Sequence, residues 1–126
     1  MEQSKIIYAE KGPKPIGPYS QAVMNGNMLF VSGTVAFLPS GEIDTSSIEN
    51  ETKQTMENIK VIVEAAGLKM SNIVKTSIFL IDMSNFARMN AVYATYFPSN
   101  PPARETIQVS ALPKKANVEI SVIAMK

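Results

Sequence analysis

The sequence predicts an α+β domain in which two helices lie on one face of a mixed β-sheet. Three observations carry this. Strand-like runs fill both ends of the chain, two stretches of helical period sit between them around a single strand, and 126 residues leave room for one compact domain, expected over 1–126. Apolar residues make up 45% of the chain, enough for a continuous core, and no internal repeat or low-complexity tract interrupts it.

Taken in order, Ile6 to Ala9 reads as a short strand, and the loop that follows is punctuated by Gly12, Pro13, Pro15, Gly17 and Pro18. Gln21 to Met24 and Met28 to Thr34 flank Asn25-Gly26-Asn27, a strong hairpin signal. Pro39-Ser40-Gly41 turns the chain, and Ser46 or Ser47 can cap a helix with Glu49 and Glu51 in its first turn, where acids suit the macrodipole. Ile48, Thr52, Met56, Ile59, Val63 and Ala66 then draw one face of a long helix ending at Gly67. Ile73 to Ile81 is the next strand, and Asp82 or Ser84 can begin a second helix that carries Phe86, Met89, Tyr93 and Tyr96-Phe97 on one side until Pro98. Thr106 to Val109 and Val118 to Met125 read as a final pair of strands joined by a polar turn around Pro113-Lys114-Lys115.

In Met28-Leu29-Phe30-Val31 and Thr76-Ser77-Ile78-Phe79-Leu80-Ile81, apolar residues fill both strand parities, so both sheet faces want cover. Two helices can cover only one. Other copies of the chain are the simplest source of the second layer.

The composition also excludes chemistry. Cysteine and histidine are both absent, which removes disulfides, thiolate nucleophiles, Ser–His–Asp catalysis and the commonest zinc ligands; no metal is expected. With a formal net charge of +1 and cations scattered among acids, nucleic acid is a poor default partner. No apolar run approaches the ~20 residues that span a bilayer, and the start from Met1 to Lys5 resembles no targeting segment, so a cytoplasmic protein without membrane contact is expected.

Arg104 is the most conspicuous candidate for binding. Pro101 and Pro102 fix the approach of the backbone, and a planar guanidinium holds a carboxylate through two parallel hydrogen bonds. The plain alternative is a surface ion pair with Glu105 or Glu119.

Pro102-Ala103-Arg104, Ile107, Leu112-Pro113 and Val118-Glu119-Ile120 resemble the C-terminal signature of the reactive-intermediate deaminase family, also called the YjgF or RidA family. Ile16-Gly17-Pro18-Tyr19-Ser20-Gln21-Ala22 and Leu29-Phe30-Val31-Ser32-Gly33 are similar to the family's N-terminal loop and hairpin, and Asn58, Ala65-Ala66-Gly67, Val74-Lys75-Thr76, Phe86 and Asn90 continue the pattern across the chain. The resemblance implies a chorismate-mutase-like α+β fold, assembled as a homotrimer whose sheets pack into a central barrel. It further implies hydrolysis of 2-imino acids, formed from the enamines that pyridoxal-phosphate dehydratases release, to 2-oxo acids and ammonia at clefts between subunits. No cofactor is required.

By the same resemblance Arg104 grips the substrate carboxylate, Tyr19 closes the pocket, Ser32 and Gly33 approach the ligand, and Phe86 and Asn90 belong to the neighbouring helix. Each of the lesser positions has a structural alternative: Tyr19 as a staple of its loop, Gly33 as a bulge, Phe86 as core. Backbone groups near Ser32 and Thr106 could position water or the imine nitrogen. Family members commonly carry Val/Ile-Glu-Ile-Glu in the last strand, with the second glutamate ordering the attacking water, whereas this chain has Val118-Glu119-Ile120-Ser121. Ser121 then takes the water-holding position, and Glu119 stands roughly 7 Å back along the strand. Thr106 replaces a common cysteine, and Glu105 a small residue. A trimer that binds 2-oxo acids as a sensor without turnover is the rival reading, and ribonuclease or translation-inhibitor activity a more distant one.

Overall fold

The structure is a computed structural model that describes residues 4–126; the start at Met1 to Gln3, read above for targeting signals, lies outside the described residues. Six strands form one mixed sheet in the order β1-β2-β3-β6-β4-β5: β1 (Lys5–Ile7), β2 (Ala22–Asn25), β3 (Met28–Thr34), β4 (Ile73–Leu80), β5 (Ala103–Gln108) and β6 (Val118–Met125). Helices α1 (Ile48–Ala65) and α2 (Phe86–Tyr93) pack on one face of it, as expected for the chorismate-mutase-like α+β arrangement.

The hairpin closes with Asn25 opposite Met28, so the two loop residues are Gly26 and Asn27. Gly26 has φ 60, the left-handed conformation that the first position of a type II′ turn requires. Ser47 caps α1, its hydroxyl accepting from Asn50 N at 3.0 Å. The predicted stripe is buried, with Met56, Ile59 and Val63 fully shielded, and Gly67, at φ 82, ends the helix where a side chain would be strained. Met89 and Tyr93 of α2 enter the same core, beside Leu29, Ile78, Leu80, Val118 and Ile120.

The last two strands correct the sequence reading. β5 and β6 are not neighbours: β4 separates them, running parallel to β5 and antiparallel to β6. The α2 crossover allows the parallel β4–β5 pairing, and burial decides the rest. Val118, Ile120, Val122 and Ala124 are buried, which suits β6 to the sheet centre, while Arg104, Glu105 and Gln108 suit β5 to an edge.

Glu51 lies in the first turn of α1 as expected, and the structure adds that it is fully buried, its carboxylate accepting from Asn117 N (2.6 Å), Asn117 Nδ2 (2.9 Å) and Val118 N (3.3 Å). It ties α1 to the first residues of β6, immediately before Glu119.

The sheet face away from the helices is open. Phe30 is 42% exposed there, cross-strand from Val23 and Ile123, and Ile107 on β5 is 48% exposed. This is the apolar second face that the two-sided strand pattern predicts.

Candidate functional site

Two groups of side chains stand out, on opposite faces of the sheet. The first surrounds Arg104. Its strand neighbour in β4 is Thr76, buried on the helix side, and Arg104 accordingly points toward α2. Nη1 donates to Asn90 Oδ1 at 2.7 Å, and the guanidinium lies 5.5 Å from the Phe86 ring centroid and 4.9 Å from that of Tyr93. Tyr93 is anchored in turn by a 2.8 Å hydrogen bond with Thr76, and burial pushes its phenol pKa up despite that bond and the nearby guanidinium.

Neither surface ion pair considered for Arg104 forms. Glu105 bonds Lys75 at 2.9 Å and the Ser77 hydroxyl, contacts that hold its carboxyl below the usual range, with the Ser77 bond the larger cause. Glu119 lies on the opposite face. A guanidinium clamped by Asn90 between two rings keeps its remaining N–H groups for a planar anion. Thr106, two residues along the same strand face, has a buried hydroxyl with no protein partner and so has a hydrogen bond to give.

The second group lines a cavity of about 330 Å³ formed by Ile16, Tyr19, Ser32, Gly33, Val35, Phe37, Pro113 and Glu119. Its shape comes from loops pinned by buried amides. Gln21 accepts from Ala9 N at 2.6 Å and donates to Pro13 O at 2.8 Å, fixing the proline-rich loop. Asn58 donates to Val35 O at 3.1 Å and Phe37 O at 3.0 Å, fixing the opposite wall. Ser32 donates its hydroxyl to Ser20 O at 2.6 Å, and Tyr19 Oη accepts from Ile16 N at 3.2 Å, so both secure the loop as well as line the cavity.

Glu119 is the one carboxylate in the lining, and burial pushes its pKa above the ordinary glutamate value. Ser121, expected to hold water, is not in the lining; it sits opposite Ser77, one two-residue step further along β6. Of these two positions it is Glu119, and not Ser121, whose side chain reaches the cavity. Sequence reasoning discounted Glu119 for its spacing from Ser121, yet its alternation with the buried Val118 and Ile120 already placed it on the open face. Thus Tyr19, Ser32 and Gly33 come together around Glu119, Arg104, Thr106, Phe86 and Asn90 come together at the β5 edge, and a single chain does not join the two groups.

A fold of two helices on one face of a mixed sheet, with an arginine on the edge strand and a carboxylate in a loop-walled cavity, defines a class of small α+β protein that comparison with known chains identifies further. Residues 9–126 match the family described as Endoribonuclease L-PSP. A RutC family protein of Pyrococcus horikoshii is 48% identical over 123 residues, covering 97% of this chain and 98% of that protein. The 2-iminobutanoate/2-iminopropanoate deaminase of Mus musculus is 42% identical, covering 97% and 91%. The crystal structure of E. coli TdcF with bound serine superposes with a TM-score of 0.92 at 39% identity, covering 97% of this chain and 98% of that one. The chain belongs to the reactive-intermediate deaminase family of YjgF/RidA type. Among the described residues no helix is long and apolar enough to cross a membrane.

Proposed function

We propose that this chain hydrolyses 2-imino acids to 2-oxo acids and ammonia, with 2-iminopropanoate and 2-iminobutanoate as substrates, at sites that two copies build together within a homotrimer. The observation that carries the reading is the half-buried Glu119 carboxylate in a cavity of molecular size, on a chain that presents a separate, preorganised arginine for a carboxylate. The kinship with a deaminase supports the choice of substrate.

The chemistry follows from the groups present. Arg104 holds the substrate carboxylate through the N–H groups that Asn90 leaves free, with the Thr106 hydroxyl beside it. Glu119, from the neighbouring copy, accepts a proton from water as that water attacks the imine carbon. The C–O bond forms as the C=N π electrons move to nitrogen, which takes that proton from the carboxyl. In the carbinolamine that results, the carboxylate removes the hydroxyl proton, C=O forms as the C–N bond breaks, and the proton passes to the departing ammonia. A carboxyl whose pKa is raised toward the working pH suits both directions of transfer. The apolar walls, Ile16, Val35, Phe37 and Pro113, receive the substrate's aliphatic end. No electron acceptor enters the balance.

The test is direct. A pyridoxal-phosphate dehydratase generates 2-iminopropanoate in situ, and pyruvate and ammonia release is timed with and without this protein. Acceleration beyond the spontaneous rate is expected, together with a trimer mass by light scattering. Binding of a 2-oxo acid without acceleration would replace the enzyme by a sensor.

A further inference from the structure

Gly33 lies where the β3–β6 register slips: Val31 pairs with Val122 and Thr34 with Ile120, so Ser32 and Gly33 together oppose Ser121. Such a bulge re-aims the chain beside a site. Its φ is outside the left-handed region, so the backbone does not itself require glycine. What requires glycine is the neighbour. A Cβ added at position 33 would stand 2.7 Å from Glu119 Oε2, 2.8 Å from its Cδ and 3.3 Å from Oε1, so the carboxylate lies across the space a side chain would fill.

We propose that Gly33 is a positioning residue: its missing side chain is the seat that holds the Glu119 carboxylate against the cavity wall, turned toward the bound imine. This rests on the deaminase reading for its catalytic consequence, while the seat itself is a statement about geometry. The contact involves the end of a flexible side chain, so alanine at 33 displaces the carboxylate and leaves the strand in place. The carboxylate then swings toward open solvent and loses both its aim and its partial burial. Tyr19 is the other titratable group in the cavity lining, Phe79 faces Glu119 from β4, and Lys114 lines a second cavity that shares Ile16 and Phe37 with this one, so few groups besides the seat govern this carboxyl.

The experiment uses the full-length chain with ¹³C-carboxyl glutamate, assigned through Glu119→Gln. In the wild type the Glu119 resonance should titrate above the ordinary glutamate value. In Gly33→Ala it should return to the ordinary range, with the thermal midpoint nearly unchanged. Imine turnover in Gly33→Ala should fall by about 10–100-fold, the scale of an ångström misplacement. In a Glu119→Gln background, Gly33→Ala should cost no further rate. A Glu119 titration and kcat unchanged by Gly33→Ala would overturn the proposal, as would an undiminished rate loss in the Gln background. If Gly33→Ala fails to fold, Gly33→Ala/Glu119→Ala should restore folding by removing the clash, and an unfolded double variant would equally overturn it. A wild type with no imine turnover would sink the deaminase reading, while the titration still decides the seat.

Discussion

Replacing Glu119 by Gln keeps the side chain's size and removes its charge and its capacity to take a proton. In the cavity nothing else of comparable basicity faces the imine, since the remaining lining is aliphatic, aromatic, hydroxyl or glycine. The loss should therefore be the full value of a positioned general base, about 10²–10⁴-fold in kcat, with the KM for imine little changed because Arg104 still binds the carboxylate. The pH profile carries a second signature. A base works ionised, and burial raises the Glu119 pKa, so wild-type rate should fall on acidification at a higher pH than an ordinary glutamate would dictate. The variant should be slow and flat across that range. Stability should move the other way: a carboxyl with a raised folded-state pKa binds its proton more tightly folded than unfolded, so ionisation costs stability as pH rises from the unfolded through the folded value. Glu119→Gln should then match the wild type in acid and melt higher at neutral pH. Initial rates of pyruvate release, corrected for spontaneous hydrolysis, and thermal melts at several pH values check both. A variant that keeps wild-type turnover and its acid limb would refute the assignment of the proton to Glu119.

Three further outcomes are expected. Arg104→Lys keeps the charge but loses the fork that Asn90 aligns, and calorimetric binding of a 2-oxo acid should weaken by about 1.5–3 kcal/mol with folding unaffected; unchanged affinity would make Arg104 a surface residue. Glu51→Ala leaves three donors at the start of β6 without their acceptor and should destabilise by about 3 kcal/mol in urea unfolding, where a loss within 0.5 kcal/mol would show the clamp to be dispensable. Ser121→Glu should leave turnover within about threefold of wild type, because that position lies outside the cavity lining and positioned base catalysis needs hydrogen-bond reach; a large gain would return the water-holding role to position 121.

The fold was legible wherever a local rule acted alone. Periodicity drew α1, the Asn-Gly signal closed the hairpin, and the two-sided runs in β3 and β4 anticipated an open apolar face. Strand order was not legible, because β6 enters between β3 and β4 through contacts distant in sequence, and only burial along Val118, Ile120, Val122 and Ala124 ranks it as central. Glu51 read as a dipole partner because a helix's first turn favours acids; its burial depends on three donors more than sixty residues away. In the site, Arg104 could be singled out from its prolines and its chemistry. Its clamp by Asn90 and sandwich with Phe86 and Tyr93 depend on how α2 crosses β5. The choice between Glu119 and Ser121 turned on which of two residues sharing a strand face reaches the cavity, and that depends on loops distant in sequence that bring Tyr19, Phe37 and Pro113 beside Glu119.

Arg104 and Glu119 project from opposite faces of one sheet, so a site using both must take them from different copies. The two patches are unlike, so in the proposed homotrimer the contact joining them would be head-to-tail, closing into a ring with one site per copy. The open face offers the apolar area for that contact at Phe30, and the exposed β5 edge with Ile107 is one that covering would protect. This has a consequence that no single-chain site shares. Arg104→Ala and Glu119→Gln should each be nearly inactive alone. When equal amounts are unfolded and refolded together, a site regains both groups if its arginine comes from a Glu119→Gln copy and its carboxylate from an Arg104→Ala copy. Random assembly makes that combination in about a quarter of sites, whatever the size of the ring. Turnover should accordingly recover to about one quarter of the wild-type rate per chain, while each variant refolded by itself recovers nothing. Refolded mixtures that form full oligomers, shown by light scattering, yet stay as inactive as their components would mean that Arg104 and Glu119 never serve the same site.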